Sequence, residues 1–169
     1  VVGASREDTL RRANVHAREL SGYVEYQPPG TGVGAGSVHA RLARLTLSPA
    51  APSEVEALLE RPSSVPALDI VVDELQWAGR SLGRVEVQAV NRGGPTRVGE
   101  WRLNALRATL PEARLSATGR WAPPSGQAEG ERRSTLQFEL DVDDSGALLQ
   151  RFGREGLVRG GKGRLAGRI

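Results

Sequence analysis

Apolar and polar residues alternate with a period of two along most of the chain. "GRVEVQAV" places Val85, Val87 and Ala89 on one face and Arg84, Glu86 and Gln88 on the other. "TLQFELDV" does the same, with Leu136, Phe138, Leu140 and Val142 set against Gln137, Glu139 and Asp141. "EWRLNAL" sets Trp101 and Leu103 against Arg102 and Asn104. "HARLARLTL", "ALDIVVDELQW" and "ARLSATGRW" follow the rule with small irregularities. Successive side chains of a strand point to opposite faces. This period therefore predicts strands with one buried and one wet face, the pattern of antiparallel sheets.

Turn signals separate the strands. "AGRSLG" is a short connection between a strand ending near Trp77 and one starting near Leu82, and "NRGGPTRVG" is a longer loop. "QPPGTGVGAG" (residues 27–36) and "APPSGQAEGERR" (residues 122–133) are polar, lack periodicity and are expected to be flexible loops. Helical signals are few. Asp143 or Asp144 can cap "SGALLQRF", with Leu148, Leu149 and Phe152 as its apolar contacts, and Ser53 can cap "EVEALLE", which ends at Pro62. "DTLRRANVHAREL" fits two patterns: Leu10, Ala13, Ala17 and Leu20 at helical spacing, or Ala13, Val15 and Ala17 at strand spacing. "ARELSGYVEYQPPG" echoes "ARLSATGRWAPPSG" further along, and that repeat of a strand–turn unit favours the strand. The expected fold is mainly β (α+β): an antiparallel sheet of one-faced strands with one or two short helices.

Composition narrows the function classes. The 169 residues fit one ordinary domain, and 38% apolar content suffices for a core. There is no Cys, so disulfides, Cys–zinc sites and thiol nucleophiles are excluded. There is also no Met, and the chain reads as an excised segment of a longer protein. No apolar run approaches the ~20 residues of a membrane-spanning helix, so no span is expected within these residues. The net charge is +3, and every basic residue but Lys162 is arginine. These arginines are scattered among Asp and Glu rather than gathered in a block, which argues against a nucleic-acid surface.

Several short stretches imitate chemical motifs and fail on inspection. "GLVRGGKG" (Gly156–Gly163) matches most of a phosphate-binding P-loop, but Gly163 stands where the Mg²⁺-binding Ser or Thr belongs. Its flanks are a helix before and a strand-like segment after, the reverse of the P-loop context. The expectation is a Gly-rich turn feeding a strand, with no phosphate bound there. "DVDDSG" opens like a calcium loop, yet Phe152 occupies the position of the bidentate Glu. His16 and His39 lie in separate strands with no metal-ligand spacing around them, and are read as surface residues. Asp69, Asp73 and Glu74 read as a solvated strand face rather than an acid/base pair. Trp77, Trp101 and Trp121 serve either core packing or the lining of an apolar concavity. No catalytic constellation, metal site or cofactor site emerges, and the chain is not expected to be an enzyme.

Four phrases in order resemble a known family: "SGYVEYQPPG…GSVHARLARLTL", "VPALDIVVDELQWAGRSLGRVEVQAVNRG", "EWRLNALRATLPEARLSATGRWA" and "LQFELDVDDSGALLQRFGREGLVRGGKGRLAG". From about Ala13 onward they are similar to the YhdP-type branch of the AsmA-like superfamily. The resemblance implies the periplasmic part of a large Gram-negative envelope protein anchored in the inner membrane. It also implies a curled, taco-like β-groove with an apolar inside, associated with phospholipid movement between the inner and outer membranes. The implied partners are phospholipid acyl chains and the rest of the same protein. Under that reading Val85, Val87, Trp101, Leu103, Leu115, Leu136, Phe138 and Leu140 face inward. A closed core in an ordinary α+β domain, acting as a structural or interaction module of the envelope, would use the same residues.

Overall fold

A computed structural model describes residues 2–7, 10–16, 19–29, 35–47, 65–91, 100–122 and 133–169. The described strands form one 11-stranded sheet. They are β1 (Val2–Glu7), β2 (Leu10–His16), β3 (Leu20–Gln27), β4 (Ser37–Leu47), β5 (Ala67–Trp77), β6 (Arg80–Ser81), β7 (Arg84–Asn91), β8 (Trp101–Thr109), β9 (Ala113–Ala122), β10 (Arg133–Val142) and β11 (Gly163–Arg168). Their spatial order follows the chain, except that the two-residue β6 pairs only with β5. The ambiguous opening segment is a strand, as the internal echo suggested.

The sheet is mostly antiparallel, open and curled. One pair departs from the all-antiparallel expectation. β4 and β5 run parallel, in register from Ser37↔Ala67 to Leu47↔Trp77. A parallel pair needs a crossover connection rather than a hairpin, and the chain between β4 and β5 is residues 48–66. The helix expected at "EVEALLE" falls in that connection, outside the described residues. So do residues 30–34, 92–99 and 123–132 of the expected loops.

Irregularities in the alternation mark β-bulges. Gly22 pairs with Leu42 but Ser21 pairs with Arg44, leaving Ala43 extra. In β5, Val72 faces Val85, and Leu75 bonds Gly83, so Asp73 and Glu74 together oppose Arg84. In β8, Leu103 faces Gly119 and Leu106 faces Ala117, so Asn104 and Ala105 together oppose Thr118. A bulge bends its strand and increases local twist, which curls a sheet. It also flips the side-chain phase, so Leu45, Leu75 and Leu106 return to the apolar face after the interruption.

The single described helix, α1 (Ser145–Arg151), follows β10. Asp144 caps it, accepting from the Ala147 N–H at 3.0 Å; the carboxylate that imitated a calcium ligand is a helix cap. After α1, Gly156, Gly160 and Gly161 have positive φ (78°, 69° and 124°) and carry the chain into β11. The P-loop look-alike is therefore a turn between helix and strand.

Candidate functional site

The register builds one continuous apolar surface. Three rows of side chains run from β3 to β11. The first is Gly22, Leu42, Val72, Val85, Ala108, Leu115, Leu140 and Leu165. The second is Val24, Ala40, Ile70, Val87, Leu106, Ala117, Phe138 and Gly167. The third is Tyr26, Val38, Leu68, Ala89, Leu103, Gly119 and Leu136, continued by Ile169, whose backbone exchanges hydrogen bonds with Leu136. No charged residue interrupts any row. With strands about 4.8 Å apart, eight strands give rows of about 34 Å.

All eight residues singled out from the sequence fall on this one face. Seven lie in the rows, and Trp101 stands beside them opposite Trp121. Sequence alternation did not reach Leu42, Val72, Leu106 or Leu165 as members of the same surface, because bulges and cross-strand pairing decide it.

Burial along the rows is uneven. Ala40, Leu42 and Val72 are buried, with Leu20, Val24, Leu45, Ile70 and Leu75 packed around them. Toward the β11 edge the face opens: Leu165 is 57% and Ile169 79% exposed. Among the described residues no large side chain is fully buried, and no second layer of strands covers the rows. Small residues keep parts of the floor low. A Cβ at Gly167 would lie 2.7 Å from two atoms of the Phe138 ring, so that ring lies across the glycine of the next strand. The Trp101 indole N–H donates to the Pro66 carbonyl at 3.2 Å. Those of Trp77 and Trp121 are buried with no partner among the described residues.

The opposite face is wet and knitted by ion pairs. Arg41 donates to both Asp69 carboxylate oxygens, at 3.1 and 3.0 Å, and His39 Nδ1 lies 3.1 Å from the same carboxylate. The Arg41 bonds, more than the histidine, hold the Asp69 carboxyl below its usual range. Arg44 pairs with Glu74, Arg84 with Asp73 and Glu86, and Arg164 with Glu139 and Asp141. The carboxylates considered for acid/base work are thus engaged by arginine on a solvated face. His39 is brought to Asp69 by the parallel β4–β5 pairing across 30 residues of sequence, which local alternation does not reveal. His39 remains half exposed, in edge-to-face contact with Tyr23. The side chain of His16 lies outside the described residues. No group of three or more His, Asp or Glu able to hold a metal occurs among the described residues.

At one end of the sheet α1 is tied down through Arg151. Glu112, in the β8–β9 turn, is buried at 5% exposure and takes both forks of the Arg151 guanidinium, the Nη2–Oε2 bond measuring 2.9 Å. Arg151 also donates to the Ser81 carbonyl at 3.0 Å, and the Glu112 carbonyl accepts from the N–H groups of Asp143 and Asp144. The Arg151 hydrogen bond outweighs burial and holds the Glu112 carboxyl below the ordinary glutamate range.

The profile of the YhdP protein family matches residues 2–169. The chain belongs to the YhdP family. In general terms this is a non-enzymatic family of Gram-negative envelope proteins of the AsmA type. Neither the curated proteins nor the solved structures contain a match to the chain. No helix among the described residues is long and apolar enough to cross a membrane.

Proposed function

We propose that this chain is a periplasmic segment of an inner-membrane-anchored envelope protein, and that its apolar face is part of a groove along which phospholipid acyl chains pass between the inner and outer membranes. The observation that carries this reading is the set of three uninterrupted apolar rows across eight strands, open toward β11. Half of a bilayer's hydrocarbon core is about 15 Å, so a row of about 34 Å takes two tails end to end. Transfer of a tail from water is favourable by about 0.8 kcal/mol per methylene, whatever the detailed contacts. Sliding needs such non-directional attraction, and a surface of Leu, Val, Ala and Phe without charges supplies it. The exposed Leu165 and Ile169 on the β11 edge suit continuation of the face by further strands of the same protein.

The buried Ala40–Leu42–Val72 cluster favours a second reading, in which the β3–β5 half is a closed core and the chain spaces or docks envelope components. Native mass spectrometry of the chain purified gently from a Gram-negative host separates the two. The groove reading expects co-purified phospholipid, lost in Val87→Asp and Phe138→Asp variants that keep their β-sheet circular dichroism. A well-folded, lipid-free wild type supports the structural module.

A further inference from the structure

On the wet face Arg41, Arg44, Arg84 and Arg164 each meet a carboxylate, but the pattern breaks around one end of β8, β9 and β11. Arg102 and Arg120 stand directly opposite each other on β8 and β9, and Arg168 projects from β11 two strands beyond β9. Like charges paired across strands are destabilising. Arg102 pairs with Glu100 at 3.3 Å; the side chains of Arg120 and Arg168 make no ion pair or hydrogen bond among the described residues. The three guanidinium-bearing residues border a cavity of about 420 Å³ that is also lined by Thr118, Thr135 and Gln137, with no carboxylate in its wall. A second cavity of about 560 Å³ shares Asn104, Thr118, Gln137 and Arg168 with the first and extends the polar wall to Ser116, Arg107 and the carboxylate of Glu139, a group suited to accept from hydroxyls.

We propose that this hollow of β8–β11 is a binding site for a phosphate group carried on a hydroxylated alcohol. Guanidinium forks present parallel N–H donors that match phosphate oxygens, and such charge-assisted bonds are about twice as strong as neutral ones. The Thr hydroxyls and the Gln carboxamide add neutral donors. Arginine stays charged at any physiological pH, so the site is permanently cationic. The phosphate relieves the Arg102–Arg120 repulsion, and the neighbouring cavity accepts the alcohol part. The site is on the face opposite the apolar rows and stands or falls independently of the groove.

Isothermal titration of the chain with inorganic phosphate, glycerol 3-phosphate and monomeric dihexanoyl-phosphatidylglycerol tests it. The expected result is salt-sensitive binding of glycerol 3-phosphate, weakened about tenfold or more by Arg120→Gln and again by Arg168→Gln, the loss of one charged hydrogen bond each. Arg114→Gln, whose arginine is paired with Asp143, should leave affinity unchanged. Arg120→Gln should not lower the thermal midpoint, since it removes a repulsion. Tighter binding of the short-chain lipid identifies a lipid headgroup as the source; binding of glycerol 3-phosphate at least as tight identifies a soluble phosphate ester. Both support the site. Absence of binding at millimolar concentrations overturns it, as does binding that Arg120→Gln and Arg168→Gln leave unchanged. Lipid binding abolished only by Val87→Asp overturns it too.

Discussion

Single residues carry the strain that shapes the sheet. Ala78 sits at φ 50° and Gly79 at φ 76° in the tight turn between β5 and β6. A left-handed alanine costs roughly 1 kcal/mol, whereas Asn adopts this conformation readily and Asn-Gly is the favoured pair for such turns. Ala78→Asn is expected to raise the unfolding free energy by about 0.5–1 kcal/mol, read from urea denaturation. Gly22 is the opposite case. It lies at the Ala43 bulge with φ 143°, and a Cβ there would collide with the Arg41 carbonyl oxygen and sit 2.8 Å from Leu42 Cα. Both obstacles are backbone and cannot swing away. Gly22→Ala is therefore expected to cost about 2 kcal/mol or more, since strain at a special backbone conformation is among the severe mechanisms. The turn at "AGRSLG" was legible because Gly punctuates it. The need for Gly22 was not, because it arises from a neighbouring strand's bulge.

At the scale of elements, alternation read from the sequence located the strands and one face of each, and Asp144 was found as one of two cap candidates for α1. Pairing was another matter. Nothing in "SVHARLARLTL" or "ALDIVVDELQW" announces that they run parallel, since strand direction is settled by pairing between distant segments rather than by local alternation. The double carboxylate Asp73–Glu74 looked like an irregular strand and proved to be a bulge with both groups held by arginines. The attachment of α1 was equally hidden, since Glu112 and Arg151 lie 39 residues apart. That attachment responds to pH. Glu112 is ionised in the fold below its ordinary value of about 4.5. Its contribution is complete above that value and drains away as pH falls through the lower folded-state value. Glu112→Gln is expected to cost about 2 kcal/mol at pH 7, because it leaves Arg151 without its charge partner. Amide hydrogen exchange in α1 should accelerate in the variant at pH 7, and the gap to wild type should close at acid pH. A gap that persists unchanged at acid pH would mean that charge plays no part in holding the helix.

Across the whole molecule, the rows are a property of register rather than of any single strand. The eight residues named from sequence fall on one face because each strand kept its own phase. The continuity of the surface required the bulges at Ala43, Asp73–Glu74 and Asn104–Ala105 to restore that phase in β4, β5 and β8. A helix-like or two-sided pattern would have dispersed these side chains, whereas from β3 to β11 the three apolar rows carry no charge and the ion pairs of Arg41, Arg44, Arg84 and Arg164 lie on the other face. Membership of the YhdP family and an apolar face left open toward β11 agree with a conduit for lipid tails. The most direct test is site-specific photocrosslinking to phospholipid in the native envelope. A photoreactive residue would be placed in turn at Leu106, Phe138 and Leu165 of the apolar rows, and at Arg41, Glu86 and Arg164 of the wet face, away from the arginine-lined hollow. The account expects lipid adducts at the first three and background levels at the others. Equal labelling of both faces, or none at the apolar positions in folded protein, would contradict it.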